Sequence, residues 1–162
     1  EIASCLVGSE MCIRDRSIGK WLKVNGEAIY GTHCWKKYGE GKTQSAKGSF
    51  TDNDATPYVA SDIRFTTKDN SFYAVSLGWS EQDIVIKSLT PEVMNDAEIL
   101  EVSMLGTNEK IQWMKTDEGL RVSFPSQKPC EFAYVFKISF NKMIGQNLKS
   151  EAINEVLKHG EN

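Results

Sequence analysis

Residues 62–77 read DIRFTTKDNSFYAVSL, and this stretch decides the fold. Side chains alternate along it with a period of two, so that Tyr73, Val75 and Leu77 share one face of a strand. The triplet Lys68-Asp69-Asn70 lies between the two alternating runs and is typical of a turn. The stretch therefore predicts a β-hairpin.

More short strands follow the hairpin, and they are predicted at residues 83–89, 99–105, 110–115, 120–124 and 131–138. Asp117-Glu118-Gly119 supplies a further tight connection, whereas residues 31–57 are rich in Gly, Ser, Thr and Asp, which favours a loop. Long helices are absent between these strands, which disfavours a parallel βαβ sheet. We predict an all-β fold, an antiparallel β-sandwich of about seven or eight strands.

Helical patterns flank the predicted sandwich. The first ends at Asn25-Gly26 and is too short to be stable alone, so it resembles the end of a longer helix. Its apolar face comprises Ile18, Trp21 and Leu22. The second is a short C-terminal helix from Ser150 to about His159, stopped by Gly160. Its apolar face comprises Ile153, Val156 and Leu157.

Residues 1–16, EIASCLVGSEMCIRDR, differ from the rest of the chain because they show no clean period and hold two of the four cysteines. The apolar run Ile2–Val7 is too short for a signal peptide and lacks a basic start. SEMCIRDR, residues 9–16, resembles translated sequencing-adapter sequence; the alternative is a divergent native helix end. We predict that residues 1–16 lie outside the domain.

Charge and composition exclude several classes of protein. The net charge of −3 disfavours nucleic acid and anionic membranes as partners, and no apolar run is long enough to span a membrane. The cysteines are Cys5, Cys12, Cys34 and Cys130, and the histidines are His33 and His159. No Cys-x-x-Cys pair occurs, so a zinc site is not indicated. Cys34 and Cys130 either form a disulfide or pack as small apolar residues.

Candidate catalytic groups are few. His33 and Cys34 are neighbours, but a nucleophile and its base must be brought together by the fold. Paired carboxylates could hydrolyse a glycosidic bond, although every candidate lies in a turn or polar loop. These candidates are Glu27, Glu40, Asp52, Asp54, Asp62, Glu81 and Asp83. Asp52-Asn53-Asp54 lacks the glycine and the distal glutamate of a calcium loop.

Aromatic side chains offer a different chemistry, because an exposed ring can stack on a sugar. Trp35, Trp79 and Tyr58 lie in or near predicted connections. The alternative is that large aromatic residues at strand ends close the core. Burial of both tryptophans would favour this structural role.

Residues 18–35, IGKWLKVNGEAIYGTHCW, carry a more specific signal. They resemble the junction in α-L-fucosidases of glycoside hydrolase family 29, where the last barrel helix leads into a C-terminal β-sandwich. The resemblance covers residues 17–138 and departs from the family at His33-Cys34, where the family commonly has Arg-Pro. Further matching motifs are residues 38–41, 62–67, 73–75, 77–79, 86–89, 105–106, Trp113, 119–120 and 129–134.

The resemblance implies a division of the chain. Residues 17–26 would be the end of the last barrel helix, 27–140 the C-terminal sandwich, and 141–162 a tail. Family members are retaining glycosidases whose catalytic carboxylates belong to the barrel, which has no counterpart in these 162 residues. The resemblance therefore implies no catalytic, cofactor-binding or metal site in this chain, and no cofactor for the parent enzyme.

The partners implied by the resemblance are the parent's own catalytic barrel and, through the parent, fucosylated glycans. Such enzymes are usually lysosomal, periplasmic or secreted. The alternative function is a carbohydrate-binding module that uses the loop aromatics. If the chain is the fragment, the face of Ile18, Trp21 and Leu22, with part of the sandwich, should expose an apolar patch.

Overall fold

The computed structural model describes residues 3–43 and 57–144, with side chains from residue 13 onward. Within them the chain forms helix α1 (Ala3–Asn25), a 3₁₀ turn (Gly26–Ala28), the short helix α2 (Pro91–Met94) and eight β-strands. The strands are β1 (His33–Glu40), β2 (Ile63–Lys68), β3 (Ser71–Ser76), β4 (Ile84–Ile86), β5 (Ile99–Met104), β6 (Trp113–Thr116), β7 (Gly119–Val122) and β8 (Tyr134–Phe140).

The strands form two antiparallel sheets. The larger has the order β1-β2-β3-β8-β5 and the smaller has the order β4-β7-β6. Side chains of both sheets meet in one core, to which Phe72 and Phe136 contribute from the larger sheet and Leu120 and Val122 from the smaller. The predicted antiparallel sandwich is therefore confirmed, and its eight described strands agree with the predicted number.

Both predicted tight connections are present. In the β2–β3 hairpin, Lys68 pairs with Ser71 across Asp69-Asn70, and Asp69 has a φ of 51°. Between β6 and β7, Gly119 has a φ of 139°, and a Cβ there would lie 2.3 Å from the carbonyl oxygen of Ile86. Glycine is required at this position because any side chain would meet the backbone of the neighbouring strand.

The prediction of a loop throughout residues 31–57 is wrong for its first part, because residues 33–40 form the edge strand β1. Of its eight residues only Trp35 and Gly39 are buried, so no apolar alternation marks the strand. Its pairing with β2 is also irregular between Cys34 and Gly39. An edge strand that faces solvent carries little of the periodic signal from which strands are predicted.

Some boundaries differ as well. Helix α1 begins at Ala3 and continues through residue 16, far beyond the two turns that the apolar pattern predicts. A helical backbone is compatible both with an appended segment and with a native helix, so the boundary at residue 16 stays a prediction. The predicted C-terminal helix, together with Asp52 and Asp54, lies outside the described residues.

Candidate functional site

The outer face of the five-stranded sheet is covered by the end of α1 and the 3₁₀ turn. A second apolar cluster forms there from Ala28, Tyr73, Val75 and Val135, separate from the core between the sheets. Trp21 packs against it and donates a hydrogen bond from Nε1 to the carbonyl oxygen of Ala133, at 2.8 Å. We call this contact between helix and sheet the junction.

The helix face predicted to be exposed is exposed only in part, because the junction covers some of its residues. Ile18 is 57% exposed, as expected for an apolar patch. Leu22 is half-buried, and Trp21 turns onto the sheet instead of facing solvent. Beyond the helix, Ile29 and Tyr30 are 44% and 62% exposed.

A polar network locks the 3₁₀ turn to the sheet. The carboxylate of Glu27 accepts hydrogen bonds from Lys137 Nζ at 2.5 Å and from Tyr73 Oη at 2.9 Å. The Lys137 bond lowers the pKa of Glu27 despite an opposing contribution from burial. Burial, aided by the bond to Glu27, raises the pKa of Tyr73 to about 12. Tyr73 therefore stays a neutral donor to a charged Glu27, which fixes how the turn lies on the sheet.

The carboxylate of Glu40 is used to join the two sheets. It accepts hydrogen bonds from the backbone amides of Lys87 and Ser88, at 2.8 and 2.7 Å, and from Ser88 Oγ at 2.5 Å. Glu40 ends β1 of the larger sheet, whereas residues 87 and 88 follow β4 of the smaller. Its role is structural, because every bond it makes holds this contact between sheets.

Asp62 is fully buried just before β2. Its carboxylate accepts hydrogen bonds from the backbone amides of Thr43 at 3.1 Å and Val59 at 2.9 Å. Burial alone would raise the pKa of Asp62, but these donors outweigh it and the pKa is lowered. A carboxylate held ionised by backbone amides braces a loop and is a poor proton donor.

The remaining catalytic candidates stay apart. Glu81 and Asp83 are exposed in the connection before β4. His33 and Cys34 are both exposed on β1, and successive side chains of a strand point to opposite sides, so the two do not form a dyad. Cys34 and Cys130 are both free thiols, and Cys34 is not the buried apolar residue that one alternative expected.

The tryptophans serve the core. Trp35 is 4% exposed and makes edge-on contacts with Phe65 and Phe72, with ring centroids 5.5 and 5.0 Å apart. Trp79 is half-buried, and its ring centroid lies 4.8 Å from the ring centroids of both Phe124 and Tyr134. Burial assigns Trp35 to the core, whereas Trp79 is buried only in part and Tyr58, the third candidate, is 44% exposed. The expected burial of both tryptophans is therefore met by Trp35 alone, and the carbohydrate-binding module stays a prediction.

Two clefts open on the described surface. One, of about 230 Å³, lies between α1 and residues 129–132, and it is smaller than most ligand pockets. The other, of about 640 Å³, follows β5 and is lined by Glu101, Glu109 and Lys110 among others. Glu109 there accepts hydrogen bonds from the amide and the hydroxyl of Ser126, so it braces a loop.

The part of the chain that the structure describes offers neither a cluster of metal ligands nor a membrane-spanning helix. No group of three or more His, Cys, Asp or Glu side chains there is placed to hold a metal ion. No helix in the same residues is long and apolar enough to cross a membrane.

Sequence reasoning missed the Glu27 network and the Glu40 contact. Glu27 and Lys137 are 110 positions apart, and Glu40 and Ser88 are 48 positions apart. No local spacing indicates such pairs. Tyr73 gives the one available signal for the Glu27 network. It lies on an apolar face of its strand, and its hydroxyl needs a hydrogen-bond partner if the strand is covered on both sides.

The fold and the junction together define the chain as a β-sandwich domain with a helix packed on one sheet. Residues 54–139, more than half of the chain, match the alpha-L-fucosidase C-terminal domain family. The chain belongs to this family, and the resemblance seen in the sequence is confirmed.

Individual relatives agree with the family assignment. The chain is 32% identical to the alpha-L-fucosidase of Branchiostoma floridae over 130 residues, which are 77% of this chain and 24% of that protein. It is 30% identical to human tissue alpha-L-fucosidase over 128 residues, covering 76% and 23%. It is similar to the solved structure of Thermotoga maritima alpha-fucosidase with a mechanism-based inhibitor, with a TM-score of 0.52 and 26% identity, covering 75% and 24%. The chain thus spans about a quarter of the length of these relatives.

Proposed function

We propose that this chain is the C-terminal accessory domain of an α-L-fucosidase, a retaining glycosidase that removes terminal α-L-fucose from glycans. Residues 17–26 would end the last helix of the catalytic barrel, and residues 27–140 would form the domain that packs on it. The family match and the coverage of about a quarter of the relatives support this proposal. Fucosylated glycans are partners of the parent enzyme through its barrel.

We further propose that the chain alone does not hydrolyse fucosides. The observation that carries this proposal is that three of the candidate carboxylates already make structural hydrogen bonds. Glu27, Glu40 and Asp62 are each bonded to structural donors, on three different parts of the fold. A retaining glycosidase needs one carboxylate as nucleophile and a second as acid/base, both facing the sugar. Carboxylates that already hold the fold together are not available for these roles.

The test is an assay of the purified chain with an aryl α-L-fucoside, with Thermotoga maritima alpha-fucosidase as the positive control in the same buffer. We expect no release of the aryl group above the rate without protein. Turnover that Glu40→Gln or Asp62→Asn abolishes, while Asp83→Asn leaves it intact, would overturn the proposal. The upstream coding sequence is the second test, and it should encode the rest of the (β/α)₈ barrel whose last helix ends at residues 17–26.

A further inference from the structure

The described residues leave part of the outer sheet face uncovered beside the junction. Across this face, Val135 pairs with Val75, Val75 with Arg64, and Arg64 with Gly39. The helix and the 3₁₀ turn cover the valine end of the row, which belongs to the second apolar cluster. The Arg64 end continues the same face toward the edge strand β1.

Two tyrosine rings flank Arg64 at this end. The guanidinium carbon lies 5.7 Å from the ring centre of Tyr38 and 5.9 Å from that of Tyr58. Tyr38 is 78% exposed and Tyr58 is 44% exposed. We call Tyr38, Tyr58 and Arg64 the arginine patch. Rings beside a guanidinium favour its positive charge and also offer flat apolar surface to a partner.

The side chain of Arg64 occupies space that is open because residue 39 is a glycine. A Cβ on Gly39 would lie 2.3 Å from the carbonyl oxygen of Ile63 and 2.9 Å from Cδ of Arg64. Glycine at residue 39 therefore leaves room for the arginine stem to cross β1. Nη1 of Arg64 then donates to the carbonyl oxygen of Ile63 at 3.1 Å, which orients the guanidinium.

The charge of Arg64 has no carboxylate partner among the described residues. The two ion pairs found there are Lys137 with Glu27 and Lys142 with Asp96. The nearest carboxylate on β1, that of Glu40, is bonded to residues 87 and 88. Nη1 donates to the backbone carbonyl oxygens of Ile63 and Glu40, and the other N–H groups of the guanidinium have no acceptor among the described residues. These N–H groups fit a carboxylate on another surface.

The path of the chain indicates which surface that is. About three-quarters of each relative lies outside the matched region, and the matched family is the C-terminal domain, so the larger part precedes it. That part is joined to the sandwich through α1, which itself lies on the outer face of the sheet. A catalytic domain attached in this way approaches the outer face, on which Arg64 lies.

We propose that the arginine patch docks onto the catalytic barrel of the parent enzyme, with Arg64 bonded to a carboxylate of the barrel surface. This inference rests on the proposed function and deepens it by assigning the contact. Arg64 and Tyr38 act as positioning residues, which hold the sandwich against the barrel.

The test compares the full parent enzyme with the isolated 162-residue chain. Hydrogen exchange of backbone amides in residues 36–40 and 58–64 should be at least about tenfold slower in the parent. Arg64→Gln should lower the midpoint of thermal unfolding of the parent by about 2–4 °C while leaving that of the isolated chain unchanged. Lys115→Gln, which removes an exposed charge from β6, is the matched control and should alter neither protein. Tyr38→Ser provides a second variant, with the same pattern expected.

Each other outcome assigns the patch differently. Equal exchange in both proteins, with Arg64→Gln behaving as Lys115→Gln in a parent that hydrolyses fucosides, overturns the docking contact alone. A parent without fucosidase turnover overturns the proposed function. Loss of stability in the isolated Arg64→Gln chain assigns the charge to a carboxylate of this chain. Slower exchange of the isolated patch on adding a fucosylated oligosaccharide assigns it to glycan. Both of these results overturn the inference.

Discussion

The two faces of the five-stranded sheet are both covered along β3, but by different kinds of contact. The inner face carries Phe72 and Ala74, which are fully buried in an apolar core shared with the smaller sheet. The outer face carries Tyr73 and Val75, which lie under a single helix end and a 3₁₀ turn. The stabilising free energy of the apolar packing on the inner side increases with the area buried. The contact on the outer side depends instead on a few directed hydrogen bonds. The inner face therefore supplies stability, and the outer face supplies orientation.

The largest expected effect is on the inner face. Phe72→Ala removes a fully buried ring that touches Trp35 and Phe65, and we expect the free energy of unfolding to fall by about 3–5 kcal/mol. Urea denaturation followed by tryptophan fluorescence measures this change. The matched control is Tyr38→Ala, an exposed ring of the same sheet, for which less than about 0.5 kcal/mol is expected in the isolated chain. Equal losses for the two variants would contradict the contrast between faces.

The next effect comes from a buried charge at the edge of the sheet. Asp62→Ala leaves the amides of Thr43 and Val59 without their acceptor, and we expect a loss of about 2–3 kcal/mol at neutral pH. Because the folded pKa of Asp62 is depressed, its contribution is fully present above the unfolded pKa of about 3.9. The contribution disappears as the pH falls through the lower folded value.

Unfolding curves measured between neutral and acidic pH test this dependence. The gap in stability between the natural chain and Asp62→Ala should narrow as the pH falls below about 4. Asp83→Ala, the loss of an exposed carboxylate, is the control and should stay parallel to the natural chain. A gap that widened in acid would mean that burial, and not the amide donors, determines the pKa of Asp62.

The outer face should show a smaller effect that depends on salt. Glu27 and Lys137 are partly exposed, at 44% and 29% of their side chains, so their ion pair is screened by water. We expect a double-mutant cycle of Glu27→Gln and Lys137→Met to give a coupling of about 0.5–1 kcal/mol, decreasing at about 1 M NaCl. Tyr73→Phe, which removes only the second donor to Glu27, should lose a similar amount without the salt dependence. If about 1 M NaCl left the coupling energy unchanged, the premise that solvent screens the Glu27–Lys137 ion pair would be wrong.

The same contrast explains what the sequence could predict. The hairpin around Asp69-Asn70 was predictable because both of its strands alternate and a short turn fixes their register. Strand β1 was not, because Trp35 and Gly39 are its only buried residues and neighbouring positions are polar. Apolar periodicity reports the inner face of a sheet well and its solvated edge poorly.

Some features of the candidate site could likewise be predicted from the sequence, and others could not. The sequence indicated the helix end and its tryptophan, and the resemblance around Trp21 pointed to the family that the match over residues 54–139 shows. It could not indicate that Trp21 turns onto the sheet, because a helix face of three apolar residues does not say which of them meets a neighbour. Nor could it pair Glu27 with Lys137, since long-range polar contacts leave no periodic trace.

The smallest expected effect has the opposite sign and lies beside the junction. Phe132 has a φ of 75°, a conformation that costs a residue with a side chain about 1–3 kcal/mol, and its ring is 65% exposed. Phe132→Gly relieves this strain but adds about 0.5–1 kcal/mol of backbone entropy to the unfolded chain, so we expect a net gain of about 0.5 kcal/mol. Phe132→Ala is the control, because it removes the ring and keeps the strained backbone. Calorimetry should place glycine above alanine in thermal midpoint. If alanine were the more stable variant, the strain would be absent; if both variants fell well below the natural chain, the ring would be packing against α1 across the small cleft.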